Sequence, residues 1–259
     1  AIFSSSTVPI SWQGVEFIKS FSYRLELLNY THPLNNYSDW SSWDTSTTVQ
    51  LKYLDEGSYK FYVKGRINQE SEQIVPSETT FEVNAIAGPS LRIYPLMQKV
   101  TPGQQFDIFL FAEEIDDRNA VRGIEALLNY NNNDITYMGW EKGIITNSYC
   151  EQYTNPPNPA ACVHDSQCEW DISAACIQYA LIMPPIEDNG TLRVDGVIAG
   201  VGQDGTDPII KLSFTYSGSA SSTMIEIDAA LNKTLLYNKN SELIPITNRV
   251  PGLIESGNE

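Results

Sequence analysis

Histidine is nearly absent from this chain of 259 residues, which has two, and basic side chains are scarce: 16 Lys plus Arg stand against 32 Asp plus Glu, a net charge of −16. Two histidines leave no credible base for a Ser or Cys nucleophile. A surface this acidic repels polyphosphates and anionic lipid, which excludes nucleic acid as a partner. No apolar run approaches the roughly 18 residues of a membrane-spanning helix, so no membrane insertion is expected. P-loop, dinucleotide fingerprint and His-Glu-x-x-His are all missing. Carboxylates are plentiful, yet no motif assigns any two of them to a catalytic cleft, and the chain is read as a non-enzyme with no required cofactor. It begins at Ala1 with neither Met nor a basic-then-apolar leader, which suits a mature or excised piece of a secreted protein.

Cysteine is confined to one stretch, at Cys150, Cys162, Cys168 and Cys176. Three prolines, Pro156, Pro157 and Pro159, lie among them, and hydrophobic periodicity is weak, so residues 143–176 read as a long loop. An even, clustered set in such a loop points to two disulfides and an oxidising, extracellular or cell-surface setting. Zinc is the competing reading, with His164 between the pairs, although the intervals are wider than the Cys-x₂₋₄-Cys step usual for zinc. Of the three pairings, the nested one, Cys150–Cys176 with Cys162–Cys168, pinches the loop at its base and is the one expected.

What the sequence does have is strand signal from end to end. Apolar and polar residues alternate in Phe21–Leu27, Ser58–Lys64, Phe106–Leu110, Leu192–Val194, Ile210–Phe214 and Met224–Asp228. Period two means one buried face and one wetted face, hence antiparallel sheet. Gly- and Asn-containing turns at Asp55–Gly57, Pro102-Gly103, Asn189-Gly190 and Asp204-Gly205 separate the strands, which predicts an all-β chain of two β-sandwich domains. Residues 174–183 fit a short helix less well than a strand. Small residues and a Gly-Pro step at Ala85–Pro89 mark the boundary, giving domains 1–87 and 88–250 and a flexible tail 251–259. The acidity lies mainly in the second: 6 basic against 10 acidic residues in 1–88, then 10 against 22 in 89–259.

In the first domain, Val8-Pro-Ile-Ser-Trp12 reads as an opening strand and Phe21–Leu27 as a second. Asp39-Trp-Ser-Ser-Trp43, Leu54–Val63 and Thr80-Phe-Glu-Val83 follow. This order resembles the small immunoglobulin-like domain called Y_Y_Y, and more loosely fibronectin type III. Trp12, Trp40 and Trp43 are expected to fill the small core rather than to stack on sugar rings.

The second domain carries a more specific series. Leu91-Arg-Ile-Tyr94 and Val100-Thr-Pro-Gly-Gln-Gln-Phe-Asp-Ile-Phe-Leu110 come first, then Val121–Tyr130 and Asn131–Gly143. Gly190–Asp195, Asp204–Phe214 and Leu236–Ile246 complete it. Residues 89–247 thereby resemble a cohesin, a nine-stranded jelly roll that docks dockerin-bearing proteins in polysaccharide-degrading assemblies. The Cys-containing loop and the Asn-Asn-Asn turn after Tyr130 depart from the family's pattern.

The resemblance implies a dockerin partner on an outer sheet face. Parity places Glu125, Leu127 and Asn129 outward in one strand, Arg193 and Asp195 in a second, and Glu226 and Asp228 in a third. Clustered carboxylates at Glu113, Asp116 and Asp117, or at Asp204 and Asp207, are candidate calcium ligands. A carbohydrate-binding module that retains polysaccharide, and a structural or adhesion repeat of a cell-surface protein, are the alternative functions.

Overall fold

The computed structural model describes residues 1–28, 39–116, 120–143, 150, 154, 157–164, 168–170, 176–178, 180–199, 202, 205–230 and 232–257. The fold is nearly all β. Cα positions divide it into two compact units, Ala1–Ile86 with Met97–Lys99, and Ala87–Leu96 with Val100–Glu259.

The first unit contains β1 (Ile2–Phe3), β2 (Val8–Ser11), β3 (Ser20–Leu27), β4 (Thr48–Leu51), β5 (Gly57–Arg66) and β6 (Ser77–Val83). One sheet has the order β1-β6-β5-β3, and β2 pairs with β4 in another. The alternation of β5 settles its two faces. Tyr59 and Phe61 turn into a core shared with Val8, Leu25, Leu51, Leu54, Phe81 and Val83, while Lys60, Tyr62, Lys64 and Arg66 turn outward. Tyr59 stacks on Phe81 at 5.3 Å, and its hydroxyl donates to the Asp55 carbonyl at 2.6 Å, so a buried polar group keeps its partner.

The tryptophans correct the sequence reading. Trp12 packs against the core. Trp40 and Trp43 do not, because the segment carrying them folds back on the outer side of β3. Phe21 and Asp44 exchange backbone hydrogen bonds there, and Ser41 donates its N–H to the Tyr23 carbonyl at 2.7 Å. Their indoles lie among outward cations instead: Arg24 and Lys64 over Trp40 at 5.5 and 4.3 Å, and Lys64 and Arg66 over Trp43 at 5.3 and 4.3 Å.

The second unit follows with β7 (Ser90–Tyr94), β8 (Met97–Val100, grouped with the first unit through Lys99), β9 (Gln105–Ile115), β10 (Val121–Tyr130) and β11 (Ile135–Lys142). An insertion holds α1 (Pro159–His164), β12 (Cys168–Trp170) and β13 (Cys176–Gln178). Then come β14 (Ala180–Ile182), β15 (Ile186–Asp188), β16 (Thr191–Ile198), β17 (Gly205–Tyr216) and β18 (Ser222–Ile227). The last four are β19 (Leu235–Asn238), β20 (Leu243–Ile244), β21 (Asn248–Val250) and β22 (Gly252–Ser256). One sheet runs β11-β17-β9-β7-β21; the larger runs β14-β16-β10-β18-β22, with β15 beside β16, β19 beside β10 and β20 beside β19. Inward residues of both sheets form a single core, in which Phe106 stacks on Phe214 at 5.7 Å and Tyr130 and Tyr137 meet Phe214 edge-on at 5.4 and 5.7 Å. The short strands β15, β19, β20 and β21 add to the jelly roll expected from sequence.

Three further expectations change. Residues 252–256 are not a flexible tail: they form β22, paired antiparallel with β18 from Gly252↔Ile225 to Glu255↔Ser222, and Ile254 is buried. The stretch 143–176 is not a plain loop, since it holds a helix and a hairpin. The disulfides are crossed rather than nested, Cys150–Cys168 and Cys162–Cys176, and no cysteine is free. The hairpin register accounts for one part of this, sending both later cysteines to upstream partners, which the nested and the crossed pairing share. Cys168 faces Gln178 and Trp170 faces Cys176, so the two cysteines sit on one face of β12–β13. Each hairpin strand then takes its own partner from the segment upstream. With all four sulfurs in disulfides, this state has no thiolate to offer zinc.

Candidate functional site

The outer face of the larger sheet is where the residues expected to bind a partner gather. Register reads across β14 or β15, β16, β10 and β19 in rows. Met183, just past β14, donates its N–H to the Asp195 carbonyl, and Asp195 pairs with Glu125, which pairs with Leu235. In the next row Ile186 pairs with Arg193 and Arg193 with Leu127. Beyond it Asp188 pairs with Thr191, Thr191 with Asn129, and Asn129 with Glu226 of β18. Ile124, Ala126 and Leu128 are buried between these positions, so Glu125, Leu127, Asn129, Arg193, Asp195, Glu226 and Asp228 all lie on the side away from the core.

Charge organises the middle rows. Arg193 bonds Asp195 at 2.8 Å and stands 3.8 Å from Glu125. The hydrogen bond and charge of Asp195 come first, then the charge of Glu125, in raising the guanidinium above its ordinary value. Desolvation, with the Glu125 carboxylate adding to it, raises the Tyr237 phenol. The backbone of Leu127 is tied down: its N–H donates to the Thr234 hydroxyl at 3.2 Å and its carbonyl accepts from Asp228 at 2.8 Å. At the far end, Glu187 accepts from the Tyr130 hydroxyl at 3.1 Å and from the Gly190 N–H at 3.2 Å, pinning the β15–β16 turn.

A further row was missed from sequence. Leu181 pairs with Val197, Val197 with Gly123, Gly123 with Tyr237, and Tyr237 with Leu243. Leu181, Val197 and Leu243 are 54, 55 and 58% exposed, and the Tyr237 ring lies over the bare Cα of Gly123. This is an apolar strip across five strands, about 19 Å long at the usual strand spacing. The signal for Val197 was present, since it continues the parity of Arg193 and Asp195. Leu181 was hidden by the helix-or-strand ambiguity of its segment.

Of the calcium candidates, Glu113, Asp116 and Asp207 lie among the described residues. Glu113 is buried and bonded to the guanidinium of Arg92, which lies over the Tyr94 and Phe111 rings at 5.0 and 4.7 Å. A carboxylate already neutralised by a buried arginine is a poor ligand for a further cation. Asp116 is exposed, Asp207 is buried in β17 opposite Ala112, and Asp117 and Asp204 lie outside the described residues. Among the described residues no three carboxylates come close enough to share an ion.

No protein-family model matches the chain, and neither does any curated protein. Solved structures do. Cohesin modules are among them. A non-cellulosomal cohesin from the archaeon Archaeoglobus fulgidus is 12% identical, with 65% of this chain and 91% of that one covered and a TM-score of 0.45. The sixth cohesin of Acetivibrio cellulolyticus scaffoldin B, solved with a Cel5 dockerin, is 16% identical over 66% of this chain and 100% of its own, with a TM-score of 0.45. A cohesin module of a Clostridium perfringens family 33 glycoside hydrolase is 11% identical over 66% and 100%, with a TM-score of 0.42. Likeness of this degree transfers no binding residue. The site therefore stands on its own geometry.

Proposed function

We propose that the second unit is a non-catalytic docking module of the cohesin type, working outside the cell, and that a dockerin-bearing protein binds the outer face of β14, β16, β10 and β19. One observation carries the reading: an uncovered apolar strip, Leu181–Val197–Tyr237–Leu243, borders the acidic row of Asp195 and Glu125. Exposed apolar side chains in a row, rimmed by charge, are what a protein interface offers at its centre and edge. The strip crosses the strands, so the element that fits it is a helix laid across the sheet, whose i, i+4, i+7 and i+11 side chains span about 17 Å. The acidic row favours basic residues on that helix's flank. Dockerin is the partner named because the strand motifs of 89–247 resemble those of cohesins. The two disulfides support the extracellular setting.

Titration calorimetry against a panel of dockerins tests the reading, beside a polysaccharide retention assay. A dockerin that binds wild type and fails on Val197→Asp supports it. Retention on polysaccharide with no dockerin bound would replace it with the carbohydrate-binding alternative.

A further inference from the structure

We propose that the four cysteines of the insertion between β11 and β14 are, once reduced, a tetrahedral thiolate site for one zinc ion. Wide spacing in sequence argued against zinc, but the fold supplies the closeness that the spacing lacks. The sulfurs of Cys150, Cys168 and Cys176 all lie within 4.8 Å of one another, and Cys162 joins them through its bond to Cys176. All four are buried and form their own cluster, with Trp170 packed against it. In a zinc–thiolate tetrahedron each Zn–S bond is about 2.3 Å, which sets neighbouring sulfurs about 3.8 Å apart. Those three sulfurs are therefore already near the size of the coordination sphere. Each bonded pair has to open, and Cys162 has to close on Cys150 and Cys168, to complete the tetrahedron.

The frame does not depend on the disulfides alone. The register of β12 and β13 sets Cys168 and Cys176 on one face. The Asn158 side chain accepts the Ala161 N–H at 3.1 Å, and its carbonyl accepts the Cys162 N–H at 3.1 Å, which starts the turn of α1 that presents Cys162. The Thr154 hydroxyl accepts the Cys176 N–H at 2.9 Å, fixing that residue from the opposite side.

Conversion balances simply. Each disulfide takes two electrons from a phosphine and two protons from water, whose oxygen leaves as the phosphine oxide, or takes both from a dithiol of the thioredoxin class, which becomes a disulfide. Zinc then displaces the proton from each of the four thiols, so the site gains a dication and releases four protons. The insertion thereby has one staple for each redox state: thiolates on zinc before oxidation, crossed disulfides after it.

The test uses the whole chain, reduced with a phosphine, desalted without oxygen and titrated with Co²⁺ as a spectroscopic probe. One cobalt per chain should bind with a thiolate-to-metal charge-transfer band and tetrahedral d–d bands, and Zn²⁺ should displace it. All four cysteines should then resist alkylation, and the oxidised protein should bind neither ion. The double variant Cys150→Ser/Cys168→Ser should lose the bands and weaken binding about a hundredfold or more. Amide exchange at β12 and β13 covers the case in which reduction unfolds the insertion: zinc should restore protection there. No tetrahedral spectrum, alkylation unslowed by zinc, or β12–β13 protection that zinc does not restore would each overturn the proposal.

Discussion

The outer faces of β3–β5 and of β16–β10 arise from the same alternation and end in opposite conditions. On the first, each outward cation meets a ring: Lys60 and Arg24 over Tyr62 at 5.3 and 4.5 Å, Arg24 and Lys64 over Trp40, Lys64 and Arg66 over Trp43. Acids close the ends, with Tyr62 donating to Glu26 at 2.7 Å and Lys60 pairing Glu78 at 2.9 Å. On the second, Leu181, Val197 and Leu243 have more than half their surface in water. The difference comes from a neighbour. The Trp-Ser-Ser-Trp segment runs hydrogen-bonded beside β3 and lays its indoles on that face, whereas among the described residues none of the second unit covers the strip. A period-two strand specifies which side chains leave the core. Whether they are then satisfied by the same chain depends on segments outside the strand.

That contrast can be broken at several points, beginning where the effect is largest. Val197→Asp places an unpaired charge in the strip and should weaken dockerin binding about a hundredfold or more. Its melting temperature should stay at wild type, because the side chain is already solvated. Leu127→Asp, two rows away, should cost less, and calorimetry on both variants locates the contact centre; an equal or greater loss at Leu127 moves it to the charged rows.

Trp43→Ala removes two cation–ring contacts from the saturated face. Urea unfolding should show the first unit less stable by about 1–3 kcal/mol, with dockerin affinity untouched. A variant that unfolds as wild type does would mean that the ladder is ornament.

Glu125→Lys reverses one charge of the acidic row and leaves the strip intact. Affinity should fall about tenfold, mostly in the association rate, and the loss should shrink with added salt. Salt-independent loss would point to altered packing of Tyr237 instead.

The smallest effect is at the strip's end. Side-chain hydrogen bonds from Asn238 first, then Asn240, hold the Glu242 carboxyl below its ordinary value. A depressed folded-state value contributes stability above the unfolded-state value, and that contribution is lost as pH falls through the folded-state one. Asn238→Ala should return the carboxyl toward the ordinary range in a ¹³C NMR titration, and an unmoved titration would reject Asn238 as the cause.

Much of this was legible beforehand. Alternation in 58–64 and 121–130 identified both the strands and the sides of Tyr59, Phe61, Glu125 and Leu127, since a strand interior has two faces and one of them is apolar. Trp40 and Trp43 were misplaced because they lie in a connecting segment, where no period says which side of a sheet the chain will lie on. The cysteine pairing was illegible because it depends on how the segment carrying Cys150 and Cys162 meets the β12–β13 hairpin, which no local period records. β22 was taken for a tail because Gly252-Leu-Ile-Glu-Ser256 is too short, and too close to the charged and polar end, for its alternation to be told from a fraying segment. Arg92–Glu113 went unseen for a similar reason: Glu113 reads as one acid in an acidic turn until the opposite strand supplies its arginine.

The crossed disulfides join the insertion only to itself. Neither bond reaches a strand of the two facing sheets, so the cluster of Cys150, Cys162, Cys168 and Cys176 has its own small core, joined to β11 by the Lys142–Glu169 ion pair. For engineering, that makes the span between Gly143 and Ala180 a socket. A foreign hairpin, a tag or a second recognition loop of like end-to-end distance can replace it without altering a sheet register, and β10 and β16 would still present the same face to whatever docks there.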